Sequence, residues 1–173
     1  MGTDMKISIE RAALLKAVGQ AQSVVERRNT IPILANVLIE AEGNTLSLRA
    51  TDLDIEVTDK TPAMIERGGA TTVSAVMLHE IVRKLPDGAL VQLTDDGAAG
   101  RLTVQAGRST FSLATLPRED FPIMASSEYA ANFSAPAGVL RRLFDKSKFA
   151  ISTEETRYYL NGVYMHVATG EDG

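Results

Sequence analysis

The chain has 173 residues, 18 Lys and Arg against 22 Asp and Glu, a net charge of −4, 45% apolar residues and no cysteine. This is globular composition, long enough to bury a core without a metal or disulfide staple. It excludes disulfides, zinc–thiolate sites, iron–sulfur clusters and cysteine nucleophiles, no run approaches the roughly 18–20 apolar residues of a membrane span, and the acidic balance argues against a surface that grips nucleic acid all over.

The N-terminus lacks the basic-then-apolar layout of a secretory signal, so a cytoplasmic protein is expected, and residues 1–4, which precede a second Met at Met5, are expected to be a leader. Lys6 to Glu10 alternates as a short strand, and Leu14, Leu15 and Val18 then recur at helical spacing. Three strand-like runs follow, Val37 to Ala41, Thr45 to Arg49 and Leu53 to Val57, separated by Glu42-Gly-Asn44 and Ala50-Thr-Asp52. The order starts again at Ala70 to Val73. Ser74 is placed to cap a helix carrying Met77, Leu78, Ile81, Val82 and Leu85, and Pro86-Asp-Gly88 stops it. Three more runs, Leu90 to Thr94, Leu102 to Ala106 and Thr110 to Ala114, complete a second β-α-β-β-β unit, which predicts an α+β fold of repeated units.

A Pro-containing stretch from Leu116 to Ala130 reads as a connection between domains. After it Asn132 to Ser134 opens a strand, Pro136 suits a first helical turn, Val139, Leu140, Leu143 and Phe144 share a helical face, and Tyr158 to Met165 is expected to start a hairpin. The third unit is short of strands at Gly173, which predicts a truncated chain.

Charge is divided by element type. The helical stretches 10–28, 74–85 and 135–149 hold ten basic residues (Arg11, Lys16, Arg27, Arg28, Arg83, Lys84, Arg141, Arg142, Lys146 and Lys148) and four acids, net +6, so the remainder is net −10. Helices sharing one side of the sheets would attract phosphate there without reading sequence. Helix propensity of Lys and Arg accounts for part of the division.

Asp52, Asp54 and Glu56 alternate, so on a strand they would share a face, as a divalent-metal hydrolase could require; inward Leu53, Ile55 and Val57 equally make that face a solvated one. His79 and His166 have no second ligand at metal spacing, no nucleophile elbow or phosphate loop occurs, and Glu154 and Glu155 are adjacent rather than paired across a site. An enzyme is disfavoured, and neither a cofactor nor a metal is expected. A repeat-built interaction module without a DNA role is a further alternative. Arg157-Tyr158-Tyr159 places a cation beside two rings, at least one of them expected to be exposed.

Several segments together resemble the bacterial β sliding clamp family, the processivity subunit of DNA polymerase III. They are Asn29-Thr-Ile-Pro-Ile-Leu-Ala-Asn36, Ala50-Thr-Asp-Leu-Asp-Ile-Glu-Val57, Gly107-Arg-Ser-Thr-Phe-Ser-Leu113, Leu116-Pro-Arg-Glu-Asp-Phe-Pro122 and Arg157-Tyr-Tyr-Leu-Asn-Gly162. The resemblance implies a DNA clamp fold, with antiparallel sheets outside and helices on an inner face. Two three-domain subunits would form a homodimeric ring around double-stranded DNA, serving DNA polymerase III and the clamp loader. Residues 5–125 would be the first clamp domain and 126–173 an incomplete second. The resemblance matches Arg28, Tyr158 and Tyr159 to DNA-touching positions, beside the helix cations Arg11, Lys16, Arg141, Arg142 and Lys148 from the charge count. Glu154 falls where a neutral polar residue can contact DNA in one member. The resemblance further assigns Leu160 to the partner-binding cleft, and Ile81, Leu85, Arg108, Phe111 and Leu113 to the subunit interface.

Overall fold

Strands and helices alternate in the predicted order. The computed structural model describes residues 4–25, 30–97, 99–124 and 133–166, which fall into two units, Met1–Ala125 and Ser126–Gly173.

The first unit runs β1 (Met5–Glu10), α1 (Arg11–Gln22), β2 (Asn36–Glu42), β3 (Thr45–Thr51), β4 (Glu56–Pro62), β5 (Met64–Arg67), β6 (Gly69–Ser74), α2 (Ala75–Lys84), β7 (Leu90–Asp95), β8 (Arg101–Ala106) and β9 (Ser109–Leu116). This is the expected α+β pattern of two successive β-α-β-β-β units, with β5 as an addition. Two-residue loops led by Gly43 (φ 60°) and Gly107 (φ 57°) close the β2–β3 and β8–β9 hairpins, since a glycine takes positive φ without steric cost. Glu10 caps α1, its carboxylate accepting from the Ala13 N–H at 3.1 Å, and Ser74 caps α2 by accepting from the Met77 N–H at 3.4 Å.

The two repeats are interlocked. β1 pairs along its length with β7 of the second repeat, and β6, which opens the second repeat, pairs with β2 of the first. All pairings are antiparallel, in the order β4-β3-β2-β6-β9-β8-β7-β1-β5. The terminal strands β4 and β5 are successive pieces of one segment interrupted at Ala63, so the sheet comes back round upon itself. β9 does the same job on the opposite side: Ser109 to Ala114 pair with β8, whereas Thr115 and Leu116 cross to β6.

Ile7, Ile9, Leu46, Leu48, Leu93, Leu102 and Val104 from the strands meet Leu14 and Val18 of α1 and Leu78 and Val82 of α2 in one core. Burying side chains of this size stabilises by roughly 1.5–3 kcal/mol each. Inside this apolar setting sits one polar junction. Thr72, fully buried, accepts through Oγ1 from Asn36 Nδ2 (3.0 Å) and from the Leu116 N–H (3.2 Å), and donates to the Leu116 carbonyl (2.8 Å). Its hydroxyl thereby fastens the end of β9 to β6.

The third strand of the first repeat differs from expectation. It begins at Glu56, and Asp52 to Ile55 form a turn instead of the start of a strand. The reason is local hydrogen bonding: Asp52 Oδ1 accepts from the N–H groups of Asp54 (3.0 Å) and Ile55 (2.7 Å), and Thr51 Oγ1 accepts from the Leu53 N–H (3.0 Å). Leu53 is left half-exposed with φ 81°, a left-handed conformation that costs a non-glycine residue roughly 1–2 kcal/mol. Leu53→Gly is therefore expected to leave stability unchanged or raise it by up to about 1 kcal/mol, because relief of strain offsets the extra freedom of the unfolded chain. Leu53→Val should cost about 1–2 kcal/mol. Urea unfolding of both variants checks this, and a large loss in Leu53→Gly would show that the leucine side chain, not the turn, matters.

In the second unit α3 (Ala137–Ser147) follows Pro136 as expected, and Val139, Leu143 and Phe144 lie partly exposed. With Leu140, the last two line one side of a hollow of about 230 Å³, closed on the other by Val163 to His166. The expected hairpin start at Tyr158 is not a strand. Glu155–Leu160 is instead a 3₁₀ turn, closed by the Ser152 N–H donating to the Leu160 carbonyl at 2.9 Å. Among the described residues of this unit no strand is present to pair with it, and an unpaired strand would leave its backbone groups unsatisfied.

Candidate nucleic-acid interface

Helix α1 buries Leu14, Ala17, Val18 and Ala21 and leaves Ala12, Lys16 and Gln20 on the opposite face. Spacing of three and four residues sorts the helix into these two stripes, so Lys16 projects outward because its neighbours at 14, 17 and 18 point inward. The two helices of the first unit pack on one another. Gly19 faces α2: a Cβ there would lie 3.9 Å from Nε2 of His79, in ordinary contact.

Arg11 is not a free cation. Its Nε–H donates to the Val82 carbonyl at 3.1 Å, Nη2 to the Arg83 carbonyl at 2.8 Å, and Nη1 to Asp87 Oδ1 at 2.7 Å. Only 14% of its side chain is exposed. The guanidinium thus closes the C-terminal turn of α2, adding to the Leu85 N–H on the Val82 carbonyl (3.3 Å) and supplying a donor to the Arg83 carbonyl, at the negative end of the helix dipole. Arg83 and Lys84, in that same turn, are exposed. Arg83 donates to Glu80 Oε2 at 2.7 Å, and this hydrogen bond holds the Glu80 carboxyl below its usual pKa.

In the second unit Arg141, Arg142, Lys146 and Lys148 project from α3 and the residue just beyond it, with Arg141 and Lys148 mostly exposed. Asp145 lies between two of them, with Oδ1 2.8 Å from Lys148 Nζ and Oδ2 3.7 Å from Arg141 Nε. Tyr158 and Tyr159 are both exposed, at 77% and 70%, with ring centroids 5.8 Å apart at 85° in an edge-to-face pair. At least one of these rings is expected from the sequence to be exposed, and in the 3₁₀ turn both are. Beside them Arg157 Nε is 3.0 Å from Glu154 Oε2. Leu160 is partly exposed in the same turn, and Arg28 lies outside the described residues.

The five positions expected at a subunit interface divide in two. Leu85 and Leu113 are buried in the chain's own core and Ile81 packs against it, whereas Arg108 is exposed in the β8–β9 loop and Phe111 is 38% exposed. Because β9 meets β6 only through its last two residues, Ser109 to Ala114 keep one side free of any strand among the described residues.

The hydrolase reading of Asp52, Asp54 and Glu56 is corrected. Asp52 and Asp54 lie in the turn, Asp52 is occupied by its backbone N–H groups, and only Glu56 is on a strand. Glu56 is drawn to Arg49 (3.6 Å) and accepts from the Met124 N–H at 3.2 Å. A metal needs ligand oxygens that converge, and these three do not share a face. Sequence reasoning also missed two partners, Asp87 for Arg11 and Asp145 for Arg141 and Lys148. The second was signalled by the i, i+3 and i, i+4 spacing; the first, between α1 and the turn that follows α2, had no local signal.

A family model described as "DNA polymerase III beta subunit, N-terminal domain" matches residues 5–125. A beta sliding clamp of Caulobacter vibrioides is 59% identical over 162 residues, covering 94% of this chain and 44% of the relative, and one of Pseudomonas aeruginosa is 41% identical over 169 residues, covering 96% and 45%. A crystal structure of the C. crescentus beta sliding clamp superimposes with a TM-score of 0.94 at 56% identity, covering 99% of this chain and 46% of that one. The chain thus spans under half the length of these relatives.

Proposed function

We propose a role that proceeds from one premise: this chain belongs to the DNA polymerase III beta subunit family. The reading is that it is part of a DNA sliding clamp, a non-catalytic processivity factor that surrounds duplex DNA without reading its sequence. Residues 5–125 would be the first clamp domain and 126–173 the opening of a second, with residues 1–4 as leader. Its partners would be double-stranded DNA, DNA polymerase III and the clamp loader, in the bacterial cytoplasm, and among the described residues no helix is long and apolar enough to cross a membrane.

The observation that carries the reading, with the family, is where the exposed cations stand. Lys16, Arg83, Lys84, Arg141, Arg142, Lys146 and Lys148 are exposed on or directly after α-helices, where the stretches 10–28, 74–85 and 135–149 are net +6, while the remainder, which includes the exposed Lys60, Arg67, Arg101, Arg108, Arg118 and Arg157, is net −10. Such a division attracts phosphate at the helices and repels it elsewhere, giving a salt-sensitive contact that steers without specifying sequence. The exposed Tyr158 and Tyr159, and Arg28, would add contacts. Leu160 would belong to a partner-binding cleft. Arg108, Phe111 and the free side of β9, backed by Ile81, Leu85 and Leu113, would form the homodimer contact, which would also explain an unguarded strand edge.

The test is binding of the 173-residue chain to labelled duplexes of unrelated sequences by fluorescence anisotropy. Lys16→Glu combined with Arg142→Glu is expected to weaken binding by about tenfold or more at 50 mM salt, equally for every sequence. It should also flatten the dependence of log K on log salt by about 0.9 for each phosphate that the variant no longer neutralises. Unchanged binding in this variant would favour the interaction module without a DNA role.

A further inference from the structure

We infer that Asp145 is an internal counterion that competes with nucleic-acid phosphate for Arg141 and Lys148 and so keeps the contact with the duplex weak and mobile. The inference rests on the DNA reading above and specifies how one part of that surface behaves.

Asp145 engages both cations at once, through separate carboxylate oxygens, at 2.8 Å and 3.7 Å. All three side chains are at least half exposed, Arg141 at 86%, Lys148 at 66% and Asp145 at 50%. Exposed pairs of this kind add little to stability, so neither cation is locked in place by the fold. A phosphate arriving at Arg141 or Lys148 meets a cation already facing an anion, and must displace that anion to gain full contact. Arg142 and Lys146, on the same helix, are not among the cations that Asp145 pairs with.

Simpler pairs, one acid to one cation, stand on α2 and in the 3₁₀ turn. Glu80 stands three residues before Arg83 at 2.7 Å, and Glu154 three residues before Arg157 at 3.0 Å. The hydrogen bond from Arg83 lowers the Glu80 pKa, so that carboxylate stays ionised to lower pH than it would unpaired. In these two places one acid accompanies one cation, both partly exposed.

The experiment is duplex binding by anisotropy across a salt series, using the 173-residue chain with Asp145→Asn and the same substitution in an Arg141→Gln/Lys148→Gln background. Asp145→Asn is expected to bind about 3–10-fold more tightly at 50 mM salt and to steepen the salt dependence by about 0.9–1.8, as one or two further phosphate contacts release counterions. In the Arg141→Gln/Lys148→Gln background the gain should vanish. A gain of equal size there would mean that Asp145→Asn acts only through net charge, and would overturn the inference. So would unchanged affinity in Asp145→Asn while the parent chain binds, since the pair would then serve only the helix. Failure of the parent and the variant alike to bind at 50 mM salt would overturn the DNA reading and this inference with it. Glu154→Gln, read the same way against Arg157→Gln, provides a second variant at an exposed site should Asp145→Asn perturb α3.

Discussion

Thr72→Val is expected to lower the stability of the first unit by about 2–4 kcal/mol, despite being nearly isosteric. The hydroxyl accepts from Asn36 Nδ2 and the Leu116 N–H and donates to the Leu116 carbonyl, and the residue is fully buried. Valine fills the space and satisfies none of the three groups, and a buried donor or acceptor left alone costs about 1–3 kcal/mol. The loss is less than three such penalties because the end of β9 can shift to admit water. Thr72→Ser keeps the hydroxyl and gives up one methyl, so about 1 kcal/mol is expected there. Denaturant unfolding of the two variants separates the causes: equal losses would mean that packing, not hydrogen bonding, holds β9 to β6.

Arg11→Met should cost about 2–3 kcal/mol, or about 5–10 °C in Tm, since methionine keeps an apolar stem of similar reach but removes the guanidinium. The Arg83 carbonyl then loses its donor, the Val82 carbonyl keeps only the Leu85 N–H at 3.3 Å, and a positive charge at the negative end of the helix dipole disappears. Asp87 accounts for little of this, being 95% exposed, so Asp87→Asn is expected to cost under about 1 kcal/mol. Arg11→Lys should recover only part of the loss, because one ammonium cannot reach three acceptors in the fork geometry of Arg. Loss of less than about 0.5 kcal/mol in Arg11→Met would show that water replaces the guanidinium without penalty.

Much of the fold is legible in the sequence because strands and helices carry different periods. The α2 residues Leu78 and Val82 and the β8 residues Leu102 and Val104 were identifiable by spacing alone, and all four are fully buried. What period cannot report is the neighbour. The pairing of β1 with β7 and β2 with β6 joins residues of different repeats, and nothing in either strand names its mate. The four-residue β5 is too short to establish an alternation. Alternating Asp52, Asp54 and Glu56 imitated a strand face because the pattern of a turn stabilised by an Asp side chain is identical over so few residues. Lys16 and Arg142 were visible as outward cations from their helical positions. Arg11, equally basic, differs only in what the fold brings against it, the end of another helix about seventy residues away in sequence.

The exchange of opening strands between the two repeats has a consequence for synthesis. When the first sixty or so residues have left the ribosome, β1 still lacks β7 and β2 still lacks β6, so this half emerges with open strand edges. Closing it means bringing Ile9 to Val91, a separation that makes folding slower than local pairing would be and requires both halves to arrive together. The nascent chain is therefore expected to gain protease resistance in one step, only after the strand ending at Leu116 has cleared the exit tunnel, rather than in two steps repeat by repeat.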